Sequence, residues 1–260
     1  MNIVNVSGKW VSFAGVAAAV AIVAWPLGAQ ANQAGEPGVG SLVKWLPLIL
    51  QGFAVDVGIS VVAMFFGTVL GALLGIGQGS PIGILRRFSR WVTEFFRNAP
   101  WLVLLFFCVL LLPYQIQIFG WTIPFPAWVK GIIGLMLPVM GNVSEIVRGG
   151  IQSLPSGQWE AADALAFSRG QTLRMIILPQ AIKRMVPPWM NMYAILMMAT
   201  PLVSIVGVED SVTVARAVLS AENSTALLMP VYGLLLLLFF IYCYPIARWT
   251  RKLEARYAVA

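Results

Sequence analysis

Residues 155–170 read PSGQWEAADALAFSRG, and this stretch decides how the rest of the chain is interpreted. The Pro-Ser-Gly sequence at 155–157 interrupts the chain and favours the start of a new helix. Glu160 and Asp163 are expected in the first turn of that helix, where the helix dipole favours negative charge. The stretch is therefore predicted to be a compact, alanine-rich helix that is too polar to cross a membrane and too apolar to be a free loop.

The chain around this stretch has the composition of a membrane protein. It has 260 residues, of which 59% are hydrophobic and 10% are charged, and its mean hydropathy is +0.84. A soluble domain has roughly 45–50% apolar and about 25% charged residues. The charges are confined to short segments, so the net charge of +7 is interpreted as topogenic charge beside membrane helices rather than as a nucleic-acid surface.

Several charge-poor stretches are long enough to cross a bilayer, which takes about 20 mostly apolar residues. They cover residues 10–26, 57–79, 99–119, 126–146, 189–208 and 226–247. We therefore predict an all-α membrane protein with six transmembrane helices. One N-terminal helix and its outer loop occupy residues 1–50, and a membrane domain of five helices occupies residues 51–260.

The first stretch has two interpretations. Lys9, the apolar run after it and Ala-Gln-Ala at 29–31 resemble a signal peptide with a cleavage site. The alternative, which we expect, is an uncleaved helix. In both cases residues 32–50 lie outside, and the segment 42–52 is expected to lie along the outer membrane interface.

The distribution of basic residues predicts the orientation. With both termini placed in the cytoplasm, 14 of the 17 Lys and Arg residues fall inside, and only Lys44, Lys130 and Arg216 fall outside. Basic residues accumulate on the cytoplasmic side of membrane helices. Both termini are thus expected in the cytoplasm if the first helix is uncleaved, and residues 148–188 form the longest cytoplasmic segment.

Glycines recur every four residues in the second stretch, at Gly67, Gly71 and Gly75, so they share one helix face. Small residues on such a face let another helix approach closely. We expect close helix packing here; general glycine enrichment of membrane helices is the alternative.

The sequence lacks the groups that several kinds of chemistry require. It contains no histidine, the commonest general base and metal ligand. Cys108 and Cys243 lie in apolar stretches and are interpreted as packing residues rather than as a redox pair. No G-x-x-x-x-G-K-[ST] motif, catalytic dyad or metal-ligand cluster is present. We therefore predict no catalytic, cofactor-binding or metal-binding residue, and no enzymatic activity, on this chain.

A few ionisable residues lie within or beside the apolar stretches. Glu145 and Arg148 are three apart on one helix face and are expected to form an ion pair that supports a gate, with solute contact as the alternative. Asp56 is interpreted as a solvated residue at the outer end of its span.

Uncharged polar residues also lie at membrane depth. Asn142, Thr200 and Ser204 either line a polar path or bond to neighbouring helices and backbone carbonyls. Pro201 frees a carbonyl inside the fifth apolar stretch and is expected to kink the helix there.

From its residues alone, the helix at 155–170 either fills a groove on a partner or caps the bundle, and a family resemblance favours the first. Glu160-Ala161-Ala162 followed by Ile177-Leu178-Pro179 resembles the EAA loop of permeases of binding-protein-dependent ABC importers. Other sequences are similar to the polar amino-acid branch, which includes the histidine, glutamine, arginine and opine uptake systems: 97–100, 145–151, 155–158 and 178–181. The resemblance covers about residue 50 to the C-terminus.

The resemblance implies a complex in a bacterial inner membrane. A type I ABC importer permease core of five helices pairs with a second permease chain, identical or related. It sits in lipid above a dimer of ATPase subunits that hold ATP and Mg, and an extracytoplasmic binding protein delivers a small polar solute, an amino acid or related amine. No nucleic acid is involved. The alternative, a secondary transporter or channel, requires intramembrane carboxylates or a charged filter.

The resemblance assigns ATPase coupling to the loop at 148–188, with the helix at 156–169 as its moving element. Glu160 is expected to pair with a basic residue of the ATPase, while Ala161, Ala162 and Leu165 fill a groove there. The full set of coupling residues is Gly157, Glu160, Ala161, Ala162, Asp163, Leu165, Ala166 and Pro179.

Two positions depart from the family pattern. Ala166 stands where the family usually has glycine, so a glycine-dependent bend is in doubt unless Gly170 compensates. Residues 198–202 read Met-Ala-Thr-Pro-Leu where the branch commonly has Lys-Asp-Thr-Ser-Leu, part of the solute site in some members. Either a related permease chain holds the solute site, or specificity rests with the binding protein; both interpretations stay open.

Overall fold

The structure is a computed structural model that describes residues 39–118 and 121–257. Helices dominate it, with one short antiparallel hairpin between the third and fourth helices. The helices are α1 (Val39–Gln78), α2 (Gly83–Asn98), α3 (Trp101–Leu111), α4 (Ala127–Gln152), α5 (Gly157–Ala164), α6 (Arg169–Gln171), α7 (Leu178–Ala199), α8 (Ser211–Glu222) and α9 (Leu228–Tyr257). The strands are β1 (Gln115–Ile118) and β2 (Trp121–Pro124); a π-helical segment (Thr172–Ile177) joins α6 to α7, and 3-10 segments follow at Thr200–Val206 and Thr225–Leu227.

The prediction of a multi-pass α-helical membrane protein is confirmed. Four continuous helical stretches are long and apolar enough to cross a membrane, and α2 with α3, bent by 104°, supplies a fifth if the pair counts as one span. Five spans are the number predicted after residue 50. The first predicted stretch, 10–26, and the cleavage sequence at 29–31 lie outside the described residues.

Two features of the predicted spans differ in the structure. The segment 42–52 is not a separate interfacial element, because it is continuous with the rest of α1. The third span ends as a helix at Leu111 and gives way to β1 and β2. The Gln-Ile-Gln-Ile sequence at 115–118 alternates polar and apolar residues, which is the period of a strand.

The predicted cytoplasmic loop at 148–188 is shorter than expected. Helix α4 continues to Gln152, and α7 already begins at Leu178. Residues buried along these extensions, such as Gly150 and Ala181, show that tertiary packing continues both helices past their most apolar stretches. The prediction used hydropathy alone and therefore ended both helices at the first polar residues.

The described chain divides into two compact units. The smaller contains the described parts of Met1–Asp56 and Glu209–Tyr242. In its core, Ile49 of α1 packs with apolar side chains of α8 and α9. This packing holds the segment 42–52 against α8 and α9.

Asp56 is not solvated, contrary to the sequence interpretation. It is fully buried in the smaller unit, and its Oδ2 accepts hydrogen bonds from the Ser211 backbone N–H at 3.3 Å and from Ser211 Oγ at 2.5 Å. Gly52, one turn earlier, lies so close to Ser211 that an added Cβ would be 2.9 Å from its Cα. The carboxylate therefore ties α1 to the start of α8.

The larger unit comprises Val57–Val208 and the described part of Cys243–Ala260. The predicted close packing of the glycine face is confirmed. An added Cβ at Gly67 would meet Val139 at 2.6 Å, and one at Gly71 or Gly75 would lie 2.7 Å from a main-chain carbonyl oxygen of α4. Helix α1 therefore contacts the α4 backbone directly.

Lys130, assigned to the outer loops by the charge count, is fully buried in the first turn of α4. Its ammonium group donates hydrogen bonds to the carbonyls of Val109 at 3.2 Å and Leu112 at 2.7 Å, and it lies 3.5 Å from the centre of the Tyr114 ring. A cation at the C-terminal end of α3 satisfies carbonyls that have no partner within that helix. Lys130 is thus a helix cap rather than a surface charge.

Gly71→Ala tests the α1–α4 contact. The new methyl group would lie 2.7 Å from the Met140 carbonyl oxygen, so we expect a loss of about 1–3 kcal/mol in the free energy of unfolding in detergent micelles. Gly58→Ala on the same helix is the matched control, because nothing lies within 4 Å of its added Cβ. The control is expected to gain roughly 0.5–1 kcal/mol from helix propensity, and equal effects at both positions would contradict the contact.

Candidate functional site

Helix α5 begins where the Pro-Ser-Gly sequence predicts, at Gly157, and Glu160 lies in its first turn. Two details differ from the prediction. The helix ends at Ala164 rather than near residue 169, which places Asp163 in its last turn. A carboxylate there is opposed by the helix dipole, because the C-terminal end carries partial negative charge. Asp163 therefore does not stabilise α5.

The chain leaves α5 through a left-handed turn at Ala166, whose φ is 57°. The Phe167 N–H donates to the Ala162 carbonyl at 3.1 Å, and the Ala166 N–H donates to the Asp163 carbonyl at 2.9 Å. These two bonds form a Schellman motif, in which glycine is the usual left-handed residue. The bend that was in doubt is present with alanine, and Gly170 does not supply it because it lies inside α6.

A second helix starts directly after this turn. Ser168 caps it in a reciprocal capping box, in which its Oγ accepts from the Gln171 N–H and the Gln171 side chain accepts from the Ser168 N–H. The loop is thus two short helical pieces, as predicted, but the second is continuous through the π-helical segment with α7. The left-handed turn at Ala166 therefore connects the capped C-terminal end of α5 to the capped N-terminal end of α6.

Burial and a side-chain hydrogen bond hold α5 against the rest of the larger unit. Ala162 is 1% exposed, so its side chain packs within the chain and cannot fill a groove on a partner as predicted. The Gln180 side-chain amide of α7 donates to Gln158 Oε1 of α5 at 3.2 Å. Before α5, Arg184 of α7 donates to the carbonyl of Ser153, which follows α4, at 2.7 Å. A cleft of about 330 Å³ separates α5 from the ends of α1 and α4 and is lined in part by Trp159 and Arg169.

The remaining predicted coupling residues are exposed: Gly157, Glu160, Ala161, Asp163, Leu165, Ala166 and Pro179. Leu165 is 72% exposed, although it is a large apolar residue. Neither Glu160 nor Asp163 forms an ion pair within the described part of the chain. Two unpaired carboxylates beside an exposed leucine make a surface that is suited to a basic and apolar partner.

A polar cluster lies where α1 ends, beside α2 and α4. Gln78 at the end of α1 donates through its side-chain amide to Ser144 Oγ at 2.9 Å, Thr93 Oγ1 at 3.2 Å and Glu145 Oε1 at 3.4 Å. Thr93 and Ser144 also bond to each other at 2.8 Å. The cluster joins α1, α2 and α4.

Glu145 is the centre of the charges in this region. The predicted pair with Arg148 is confirmed, since Nη2 and Nε of Arg148 lie 2.7 and 3.1 Å from the carboxylate oxygens. Arg97, at the end of α2, forms a second ion pair with Glu145 at 3.4 Å. Two guanidinium groups therefore face one carboxylate, which leaves one net positive charge.

This charge lies beside a cavity of about 360 Å³. Its lining combines charged and amide groups with apolar side chains of α4 and α7: Arg97, Asn142, Glu145, Ile146, Pro188, Asn191, Met192 and Ile195. The lack of a side chain at Gly141 lets the backbone of α2 approach α4 closely at Arg97. A Cβ added at Gly141 would lie only 2.7 Å from the Arg97 backbone nitrogen. The cavity has the polar and apolar lining that a small polar solute requires.

The predicted path residues of the fifth apolar stretch, Thr200, Pro201 and Ser204, do not line this cavity. Thr200 is fully buried and donates to the Met197 carbonyl at 2.8 Å, and Ser204 donates to the Pro201 carbonyl at 2.8 Å. Both hydroxyls therefore follow the backbone-bonding interpretation. The helix changes to a 3-10 form over Thr200–Val206, where Pro201 was expected to disturb it. Asn142 combines the two interpretations, since it bonds to the Pro138 carbonyl at 2.8 Å and also lines the cavity.

Sequence reasoning missed five polar residues of the cavity or the cluster, namely Gln78, Thr93, Arg97, Ser144 and Asn191. Arg97 was noted only as part of a family motif, and its signal was a cation directly before an apolar stretch. The signal for Gln78 was its position, since it is a polar residue at the end of a glycine-rich apolar stretch. Within the described residues, no group of three or more His, Cys, Asp or Glu side chains is placed to hold a metal ion.

Ala166→Gly tests the strain at the left-handed turn. An L-residue in this conformation costs about 1–2 kcal/mol relative to glycine, so the amides of α5 should exchange with deuterium several-fold more slowly in the variant. Asn223→Gly is the control, because Asn223 is also left-handed, with φ 46°, but asparagine tolerates that conformation. Faster exchange in Ala166→Gly would contradict the assignment of the turn.

The family model "Binding-protein-dependent transport system inner membrane component" matches residues 71–256. YckA of Bacillus subtilis, named a probable amino-acid ABC transporter permease protein, is 33% identical over 216 residues, covering 83% of this chain and 92% of that protein. BztC of Rhodobacter capsulatus, a glutamate/glutamine/aspartate/asparagine transport system permease protein, is 31% identical over 252 residues, covering 94% of this chain and 56% of that protein.

Solved structures agree with these relatives. The crystal structure of an amino acid ABC transporter with histidines matches with a TM-score of 0.72 and 25% identity, covering 83% of this chain and 97% of that one. The inward-facing MetNI methionine ABC transporter matches in fold, with a TM-score of 0.59 and 19% identity over 81% of this chain and 98% of that one. The alternative of a secondary transporter or channel receives no support from these matches. The chain belongs to the family of inner membrane components of binding-protein-dependent transport systems and is a permease subunit of an ABC importer rather than an enzyme.

Proposed function

We propose that this permease carries a small carboxylate-bearing solute, an amino acid, across the inner membrane, and that α5 transmits the closure of a separate ATPase dimer to the cavity. The exposed surface of α5 is the observation that carries the proposal. Glu160 and Asp163 have no ion-pair partner in the described chain, and Leu165 beside them is 72% exposed. This surface is complementary to a partner that presents a basic residue next to an apolar groove.

The orientation follows from the same surface and from the positive charges. The end of the larger unit that bears α5 faces the cytoplasm in this proposal, because most Lys and Arg residues then lie inside. A second permease chain, identical or related, and an extracytoplasmic binding protein complete the transporter. ATP and Mg belong to the ATPase subunits.

The connections of α5 support a coupling role. It follows α4 directly and is tied to α7 through Gln158 and Gln180. Residues of α4 and α7 also line the cavity. A shift of α5 therefore acts on both walls of the cavity, and an element that both sites bias is what coupling requires.

The charges of the cavity support the solute class. Arg97 has only one ion-pair partner among the described residues, Glu145 at 3.4 Å, and its side chain is 49% exposed. An accessible guanidinium group binds a carboxylate through parallel hydrogen bonds. The relatives YckA and BztC are named as amino-acid permeases, and every amino acid carries such a carboxylate.

The fifth span favours a weakly selective path on this chain. Met198, where the branch commonly has lysine, is 58% exposed, while Thr200 is buried and bonded to the backbone. Fine discrimination among amino acids then rests with the binding protein. A site on a related permease chain is the second candidate, and uptake by a transporter assembled with this permease alone distinguishes the two.

Glu160→Lys tests the coupling role. Glu160 is exposed and has no ion-pair partner in the described chain, so the variant should fold and insert normally. Uptake and stimulation of the ATPase by the binding protein are expected to be lost in proteoliposomes, because the charge opposes a basic residue of the ATPase. Glu254→Lys is the control, since Glu254 is an exposed carboxylate near the end of α9. Normal uptake and stimulation in Glu160→Lys would refute the role.

Arg97→Gln tests the solute contact. Loss of a hydrogen bond to a charged group costs about 1.5–3 kcal/mol, so uptake at saturating binding protein is expected to fall by about tenfold or more, with basal ATP hydrolysis retained. Arg97→Lys keeps the charge and should retain more uptake, and Arg256→Gln controls for the loss of one positive charge. Equal uptake by Arg97→Gln and wild type would remove Arg97 from the path.

A further inference from the structure

Helix α2 presents a large apolar face that the described chain does not cover. Ile84, Phe88, Trp91 and Phe95 are spaced four, three and four residues apart, so they share one side of the helix. Their exposed fractions are 83%, 59%, 64% and 52%. The rings of Trp91 and Phe95 stack on each other, with centres 5.8 Å apart.

The small polar side of the same helix is the buried one. Ser89 is 1% exposed and Thr93 is fully buried. Thr93 bonds to Ser144 of α4, and Ser89 Oγ would lie 2.5 Å from a Cβ added at Gly77 of α1. Helix α2 is therefore attached to α1 and α4 through its polar side, with its aromatic side turned away from them.

A third surface of α2 is basic. Arg86, Arg87 and Arg90 line a shallow cleft of about 320 Å³ together with Trp91 and Glu94. None of the three arginines forms an ion pair within residues 39–118 and 121–257. Three guanidinium groups against the single Glu94 carboxylate leave an excess of two positive charges around the cleft.

We propose that α2 lies in the membrane interface and that this cleft binds the phosphate of an anionic phospholipid headgroup, with the acyl chains packed against Phe88, Trp91 and Phe95. The 104° bend between α2 and α3 supports the placement, because α3 then enters the bilayer while α2, nearly perpendicular to α3, runs along the bilayer surface. An interfacial helix combines a basic face with a face of large apolar residues. Arginine forks bind phosphate oxygens through paired hydrogen bonds.

Native mass spectrometry of the full chain in detergent tests the proposal. Phosphatidylglycerol and phosphatidylcholine with identical acyl chains are titrated separately, and the equilibrium constant of the first bound lipid is measured for each. Wild type should prefer phosphatidylglycerol. A basic residue near an anionic lipid surface contributes roughly fivefold, so the triple variant R86Q/R87Q/R90Q should lose at least about tenfold of that preference.

Two variants separate this site from a general charge effect and from misfolding. R251Q/K252Q/R256Q removes the same charge from exposed positions near the end of α9 and should keep the preference. R86K/R87K/R90K keeps the charge on α2 and should keep most of it. Equal losses in both glutamine triples, no preference in wild type, or complete competition by soluble glycerophosphoglycerol, which lacks acyl chains, would each overturn the proposal.

Discussion

Helix α1 lies so close to α4 that carbonyl oxygens of α4 stand where side chains at Gly71 and Gly75 would project. This contact fixes the end of α1 beside the end of α4, and the larger unit depends on it. Gln78, three residues after Gly75, can then reach Ser144 and Glu145 with one amide group. A wider separation would leave buried amide and hydroxyl groups unpaired, at a cost of roughly 1–3 kcal/mol each.

The same contact links the two parts of the candidate functional site, the cavity and the loop that carries α5. Glu145 receives Gln78 from α1, Arg97 from α2 and Arg148 from its own helix, so three helices meet at one carboxylate. Helix α4 then continues past these residues to the loop that carries α5. Transport by a permease requires that helices move as units, and dense polar bonding at one end of the bundle makes such units from separate helices.

The class of fold and the loop were predictable because their signals are local. Apolar length identifies spans, glycine spacing predicted a closely packed face on α1 without naming its partner, and the Pro-Ser-Gly sequence marked the start of α5. The misplaced features depend on tertiary contacts instead. Asp56 and Lys130 looked like aqueous charges, but Ser211 hydroxyl and amide groups and the free carbonyls of α3 hold them in the interior. Ala162 lies within the most recognisable motif and yet faces inward, because periodicity in an eight-residue helix does not reveal which side is packed. The ion pair of Arg97 with Glu145 could not be predicted either, because it depends on how α2 packs against α4.

The central claim is that α5 is the surface on which the ATPase acts, and photo-cross-linking tests it most directly. The photoreactive residue p-benzoylphenylalanine would replace Leu165, which is 72% exposed, in the assembled transporter, and would replace Trp128, which is 50% exposed at the far end of α4, in a parallel sample. The account predicts an adduct between permease and ATPase from position 165, with a yield that changes when ATP is added, and no such adduct from position 128. A transporter that remains active but gives no ATPase adduct from position 165 would contradict it.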